Sequence, residues 1–127
     1  MITNEEILNV SKLDAFKRYG YFIKKVADEE MVYTLSFENE IAIAEVKNNK
    51  LISIWSAAEF AKECAVLEWG NYDVVEFSLD EFKDKIGALV AKNGFLINVF
   101  SVANKTGFIV NWSELWRDLE EELEQYD

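Results

Sequence analysis

Histidine and proline are missing from these 127 residues, cysteine occurs once, and the 13 basic residues are outnumbered by 24 acidic ones. Each shortage excludes something. Histidine is the usual general base near neutral pH and the commonest metal ligand. Without it, most hydrolase triads and zinc sites are ruled out. The lone cysteine, Cys64, cannot form a disulfide within the chain or act as half of a redox dithiol. It fits a reducing compartment. The absence of proline and of low-complexity or long Gly/Ser runs leaves no linker marked, so one domain over residues 1–127 is expected. The 5 glycines are scattered and build neither a dinucleotide loop nor a P-loop. No segment has the apolar length to span a bilayer, and the stretch Met1-Ile2-Thr3-Asn4-Glu5-Glu6 lacks the features of a signal peptide. A cytoplasmic protein is the expectation.

What is present is apolar and aromatic. Half of the residues are hydrophobic, among them 9 Phe, 5 Tyr and 4 Trp, enough to fill one core despite a net charge of −11. That charge repels phosphate backbones and anionic membranes, so neither nucleic acid nor a membrane is expected as a partner. Basic proteins and cations are the electrostatically natural partners, although an acidic surface also serves solubility alone.

Thr3 or Asn4 can cap a short helix starting at Glu5, and Ser11 is the expected cap of a longer one over Lys12 to Ala27. The positions Leu13, Phe16, Tyr19, Ile23 and Val26 keep helical spacing and should face inward. Three β-like runs follow, Val32–Phe37, Glu40–Val46 and Leu51–Trp55, separated by Glu38-Asn39 and by Lys47-Asn48-Asn49-Lys50. They read as an antiparallel meander. Ser56 should cap a helix reaching about Leu67, with Phe60, Ala61, Cys64 and Leu67 on one side. Asp73–Phe77 reads as a strand. Ser78-Leu79-Asp80-Glu81 is a capping box that opens a helix with Phe82, Ile86 and Leu89 inward, ended by Asn93-Gly94. Phe95–Phe100 and Gly107–Val110 should pair as a hairpin around Asn104-Lys105-Thr106-Gly107. The final helix begins near Trp112 and carries Trp112, Trp116, Leu119 and Leu123 as one stripe. The expected class is α+β, with a mostly antiparallel sheet of about five to six strands and about four to five helices packed on it.

Few side chains carry visible chemistry. Cys64, mid-helix beside Phe60 and Leu67, lacks an activating histidine and reads as a buried structural residue. From Trp112 to Asp127 there are seven acids against one base, a net of −6. A calcium loop would need alternating oxygen ligands and a tight glycine turn, which a helix lacks. Glu114, Asp118 and Glu121 form a ridge opposite the tryptophan stripe: a solvated face, or a docking strip for a basic partner. Trp112 and Trp116 read as core. Trp69-Gly70-Asn71-Tyr72 reads as a loop in which Trp69 and Tyr72 show a polar edge to solvent. Lys12, Lys17, Arg18, Lys24 and Lys25 form an ordinary polar face on the first long helix. No catalytic, cofactor or metal residue is singled out.

Arg18–Asp28 in the first long helix, Ile54–Ala61, Leu79–Phe82, Gly94–Phe100 and Asp118–Tyr126 occur in matching order along nearly the whole chain. On these segments the sequence resembles the small bacterial proteins grouped as domain of unknown function 2750. It departs from that pattern at Ser56, where proline is expected after the tryptophan. A looser likeness is to the N-terminal domain of SseB-type secretion-associated proteins, in an aromatic-Ser/Thr strand end, a helix and a Gly-Φ-Φ-Φ-Asn strand. The resemblance implies a bacterial α+β domain and transfers no activity.

The functional expectation is a non-enzymatic interaction module of immunity or adaptor type that binds a basic protein through its acidic surface. The alternative is a small-molecule-binding protein, or an enzyme using carboxylates and Tyr, with a pocket near Trp69 and Tyr72. Self-association through a sheet edge is a third reading. No cofactor is implied.

Overall fold

The computed structural model describes residues 2–66, 69–103 and 105–126 and shows an α+β domain that opens with two helices. Thr3 caps α1 (Asn4–Ser11) by accepting from the Glu6 amide at 3.1 Å. Asp14, not Ser11, caps α2 (Ala15–Glu29), accepting from the Lys17 amide at 2.9 Å, while Ser11 closes α1. An Asp carboxylate is as good an N-cap as Ser. The inward face of α2 carries Arg18, Tyr19, Phe22, Ile23, Val26 and Ala27. Phe16 keeps the spacing of that face but lies in the first turn of α2, where its ring meets Phe108 at 5.3 Å and stays 66% exposed, contrary to the expectation that it faces inward.

The strands are β1 (Met31–Phe37), β2 (Glu40–Ile41), β3 (Ala44–Val46), β4 (Asn49–Ile54), β5 (Asp73–Ser78), β6 (Leu96–Val99) and β7 (Phe108–Val110). They form two sheets, in the orders β2-β1-β5 and β3-β4-β6-β7. The expected meander is interrupted, because Glu40–Val46 divides into β2 and β3, which pair in different sheets. Both hairpin links are two-residue turns with positive φ, 50° and 69° at Glu38-Asn39 and the same values at Lys47-Asn48. Such turns match the twist of the paired strands. Pairing is antiparallel throughout except for β4 beside β6, which runs parallel. The connection between those two contains α3 (Ala58–Cys64), β5 and a long helical segment. Among the described residues, one backbone bridge joins the sheets: Tyr33 and Trp55 exchange hydrogen bonds of 3.0 and 2.9 Å, and beside it Thr34 Oγ1 donates to the Ser53 carbonyl at 2.7 Å.

Ser56 does not cap α3. Ala57 holds the N-cap position without a side-chain bond, and Ser56 is buried. The helix ends at Cys64, and Leu67 lies outside the described residues, as do Asn104 and Asp127. The Ser78–Glu81 capping box forms with both of its bonds, 3.1 and 2.9 Å. It opens α4 (Leu79–Glu81), which continues through a π-helical stretch at Phe82–Ile86 into α5 (Gly87–Asn93). Gly94 ends α5 in the left-handed region, at φ 69°. Inward positions here are Phe82, Ile86 and Val90, with Leu89 only partly buried. A second capping box, Asn111 with Glu114, starts α6 (Trp112–Leu123). The core side of α6 is Leu115 and Leu119, whereas Trp112 and Trp116 are half-buried along its flank. Their rings pack on Phe82 at 5.2 and 6.3 Å. Among the described residues, no helix is long and apolar enough to cross a membrane.

Candidate functional site

A cavity of about 640 Å³ opens where β3 and β4 meet the end of α3 and the loop after β6. Its apolar wall includes Leu35, Leu51, Trp55, Val66, Trp69 and Val102. The volume falls within the range of roughly 300–1,000 Å³ usual for small-molecule sites, and so does the mix of apolar lining with a few polar groups.

Those polar groups are held by the backbone. Asn98 lies on β6 with 7% exposure, and its Nδ2 donates to Ser53 Oγ at 3.1 Å. Its Oδ1 accepts from the Gly107 amide at 2.9 Å, locking the β6–β7 hairpin against β4. Ser53 Oγ, as the acceptor, keeps its own proton to donate into the cavity it lines. Trp55 Nε1 donates to the Ser101 carbonyl at 2.8 Å, which fixes the indole as part of the wall. Cys64 is half-buried rather than fully buried, and its thiol donates to the same carbonyl at 3.4 Å. Burial pushes the Cys64 thiol above its ordinary pKa, only partly opposed by its contact with Ser101. A neutral thiol is a poor nucleophile, so Cys64 contributes shape and a weak donor.

Of the residues singled out in the sequence, Trp69 lines this cavity. Tyr72 does not line it but braces it: its ring meets Trp69 edge-on at 4.8 Å and tilts against Phe37 at 5.5 Å. The Tyr72 amide closes the expected turn onto the Trp69 carbonyl at 3.0 Å. Glu114, Asp118 and Glu121 lie on α6, away from these residues in the chain, and two of them are engaged within the fold. Glu114 completes the capping box by accepting from the Asn111 amide at 3.2 Å. Asp118 accepts from the Tyr19 hydroxyl at 2.5 Å and from Arg117 Nε at 3.1 Å. The ridge therefore borders α2 at Asp118 instead of standing wholly opposite the packed face. Glu121 is exposed.

Arg18 also departs from the sequence reading. Instead of sharing a polar face with its neighbouring lysines, it is 2% exposed and donates to three backbone carbonyls. Sequence reasoning passed over Asn98, although a lone amide within Phe95-Leu96-Ile97-Asn98-Val99-Phe100 is a signal that can be read. Ser53 and Ser101 carry no such signal. Among the described residues, no group of three or more acidic or thiol side chains is arranged to hold a metal ion.

No curated protein matches this chain. A family model described as a protein of unknown function, DUF2750, matches residues 19–119, from α2 through most of α6. The matched stretch holds nearly all of the cavity's framework and stops before the last acidic residues, and the chain belongs to that family.

Proposed function

We propose that this protein binds a small, largely apolar molecule in the cavity beside Trp69. The cavity itself, with its volume of about 640 Å³, carries this reading. Its wall is mainly apolar, with Glu63 and Lys105 also lining it, and Ser53 and Asn98 provide a hydrogen-bonding point that the hairpin bonds hold in place. A neutral ligand with one carbonyl or hydroxyl group fits these features, since the net charge of −11 disfavours anions. An amide, a hydroxyl and a neutral thiol suit binding better than proton abstraction. The reading as a docking module for a basic partner has less support, because Glu114 and Asp118 already serve internal contacts.

A thermal-shift screen with small metabolites tests the proposal. A ligand at a hundredfold excess over its Kd stabilises the folded state by about 2.7 kcal/mol. The expected result is a hit whose shift is cancelled by the cavity-filling Ala44→Phe and reduced by Trp69→Ala. A hit that both variants bind as wild type does would place the ligand elsewhere and overturn the reading.

A further inference from the structure

A second cavity, of about 260 Å³, lies where the beginning of the chain and α2 approach the residues that lead into α3. From α2 it takes Tyr21, Lys25 and Glu29, spaced four residues apart and so on one helical face. Glu6, Tyr33 and Glu59 join them from α1, β1 and α3. Glu6 is already engaged: it accepts from the Tyr21 hydroxyl, and Lys25 Nζ lies 3.7 Å from its carboxylate. Glu29 and Glu59 have no ion-pair partner among the described residues. Their field reaches the cavity wall, since burial first, and then Glu76, Glu29 and Glu59, raise the pKa of the Tyr33 hydroxyl.

An independent observation concerns Ser56, which lines the same cavity. It is 4% exposed, and its Oγ has no hydrogen-bond partner among the described residues. A buried hydroxyl left unmatched is costly and uncommon. We propose that this second cavity binds a small organic ammonium ion, which donates to Ser56 Oγ and sets its charge against Glu29 and Glu59. The three carboxylates repel an anion, and a neutral alcohol gains no attraction from Glu29 and Glu59, which are exposed at the cavity's mouth. The protein's own Lys25 shows the chemistry next door, its ammonium placed 5.8 Å above the Tyr21 ring and shared with Glu6. A volume below the roughly 300 Å³ at which drug-sized sites begin calls for a short-chain amine.

An NMR titration with n-butylammonium chloride at constant ionic strength tests this, with n-butanol and sodium butyrate run alongside. Saturable shifts at Tyr33 and at Ser56–Glu59 are expected for the amine alone. The double substitution Glu29→Gln, Glu59→Gln should weaken binding several-fold, and Ser56→Ala should weaken it while leaving thermal stability unchanged or raised. Trp69→Ala should have no effect, which separates this site from the larger cavity. Equal binding of n-butanol, shifts spread over the acidic surface of α6, or wild-type affinity in both Ser56→Ala and the double variant would each overturn the proposal.

Discussion

Arg18 Nε donates to the carbonyl of Phe100 at 2.9 Å, and Phe100 sits at φ 66°, in the left-handed region that a bulky side chain seldom adopts. The same guanidinium reaches the carbonyls of Leu13, through Nη1 at 2.5 Å, and of Thr106, through Nη2 at 3.1 Å. One planar fork thus ties the turn before α2 to both sides of the β6–β7 loop. The strained backbone at Phe100 is held from the other side by its ring, which packs 4.5 Å from Phe60 and 5.8 Å from Tyr21. Replacing Arg18 by Met leaves three carbonyls without their donor and should cost about 3 kcal/mol in urea denaturation. Arg18→Lys should recover less than half of that, because a point charge cannot span three acceptors. A loss near zero for Arg18→Met would refute the clamp.

Alkaline pH should unfold the protein through its tyrosines. Burial, and then the bond to Asp118, raise the pKa of Tyr19, while burial and the bond to Glu6 raise that of Tyr21. A hydroxyl whose folded pKa lies above its unfolded value gives stability that is complete below the unfolded value, about 10. That stability is lost as pH climbs from there toward the folded values. Denaturation midpoints should therefore fall steadily above about pH 10. Asp118→Asn should flatten the fall, and a parallel ultraviolet titration would show these phenolates forming only with unfolding.

Gly107 has no room for a side chain. A Cβ there would stand 2.7 Å from Asn98 Oδ1 and run into the Val99 carbonyl, which is backbone and cannot swing aside. Gly107→Ala should cost about 2–3 kcal/mol, as overpacking of a closed site does. It should also weaken binding in the larger cavity, since the Gly107 amide holds Asn98. Wild-type stability in Gly107→Ala would mean that the hairpin relaxes freely.

Asn111→Ala removes the side chain that accepts from the Glu114 amide at 2.8 Å and should cost about 1 kcal/mol. Glu114→Gln keeps a group able to accept from the Asn111 amide and should cost less. Thermal denaturation of the two variants distinguishes a capping role for Glu114 from a purely solvent-facing one.

Local chemistry was legible in the sequence, and phase and tertiary position were less so. The Ser78–Glu81 box and the Gly94 cap can be read from a few adjacent residues, because their bonds span three or four positions; the β6–β7 hairpin shows as two β-rich runs around a polar turn. The start of α2 was misplaced since Ser11 and Asp14 are both competent caps, and the choice turns on the carbonyl at Leu13 that Arg18 takes up. Spacing alone put Phe16 inside, but in the first turn of α2 the core no longer covers it. On α6, the spacing of Trp112, Trp116, Leu119 and Leu123 suggested the core line; Leu119 lies on it, but Leu115 joins it while the tryptophans pack at the side against Phe82 and Gly87. The cavity beside Trp69 was anticipated only as a place near two aromatics. Its walls come from β3, β4 and the loop after β6, which no local pattern brings together.

The backbone bridge between Tyr33 and Trp55 couples the two sheets. Tyr33 lies within the β1–β5 ladder and Trp55 directly follows the last β4–β6 pair, Ile54 with Val99, so opening either sheet here strains the bonds that protect both amides. Those two amides should be among the slowest to exchange with deuterium. A ligand held against Trp55 in one cavity and one held near Tyr33 in the other would then draw on the same opening equilibrium, each slowing the exchange that the other also restrains.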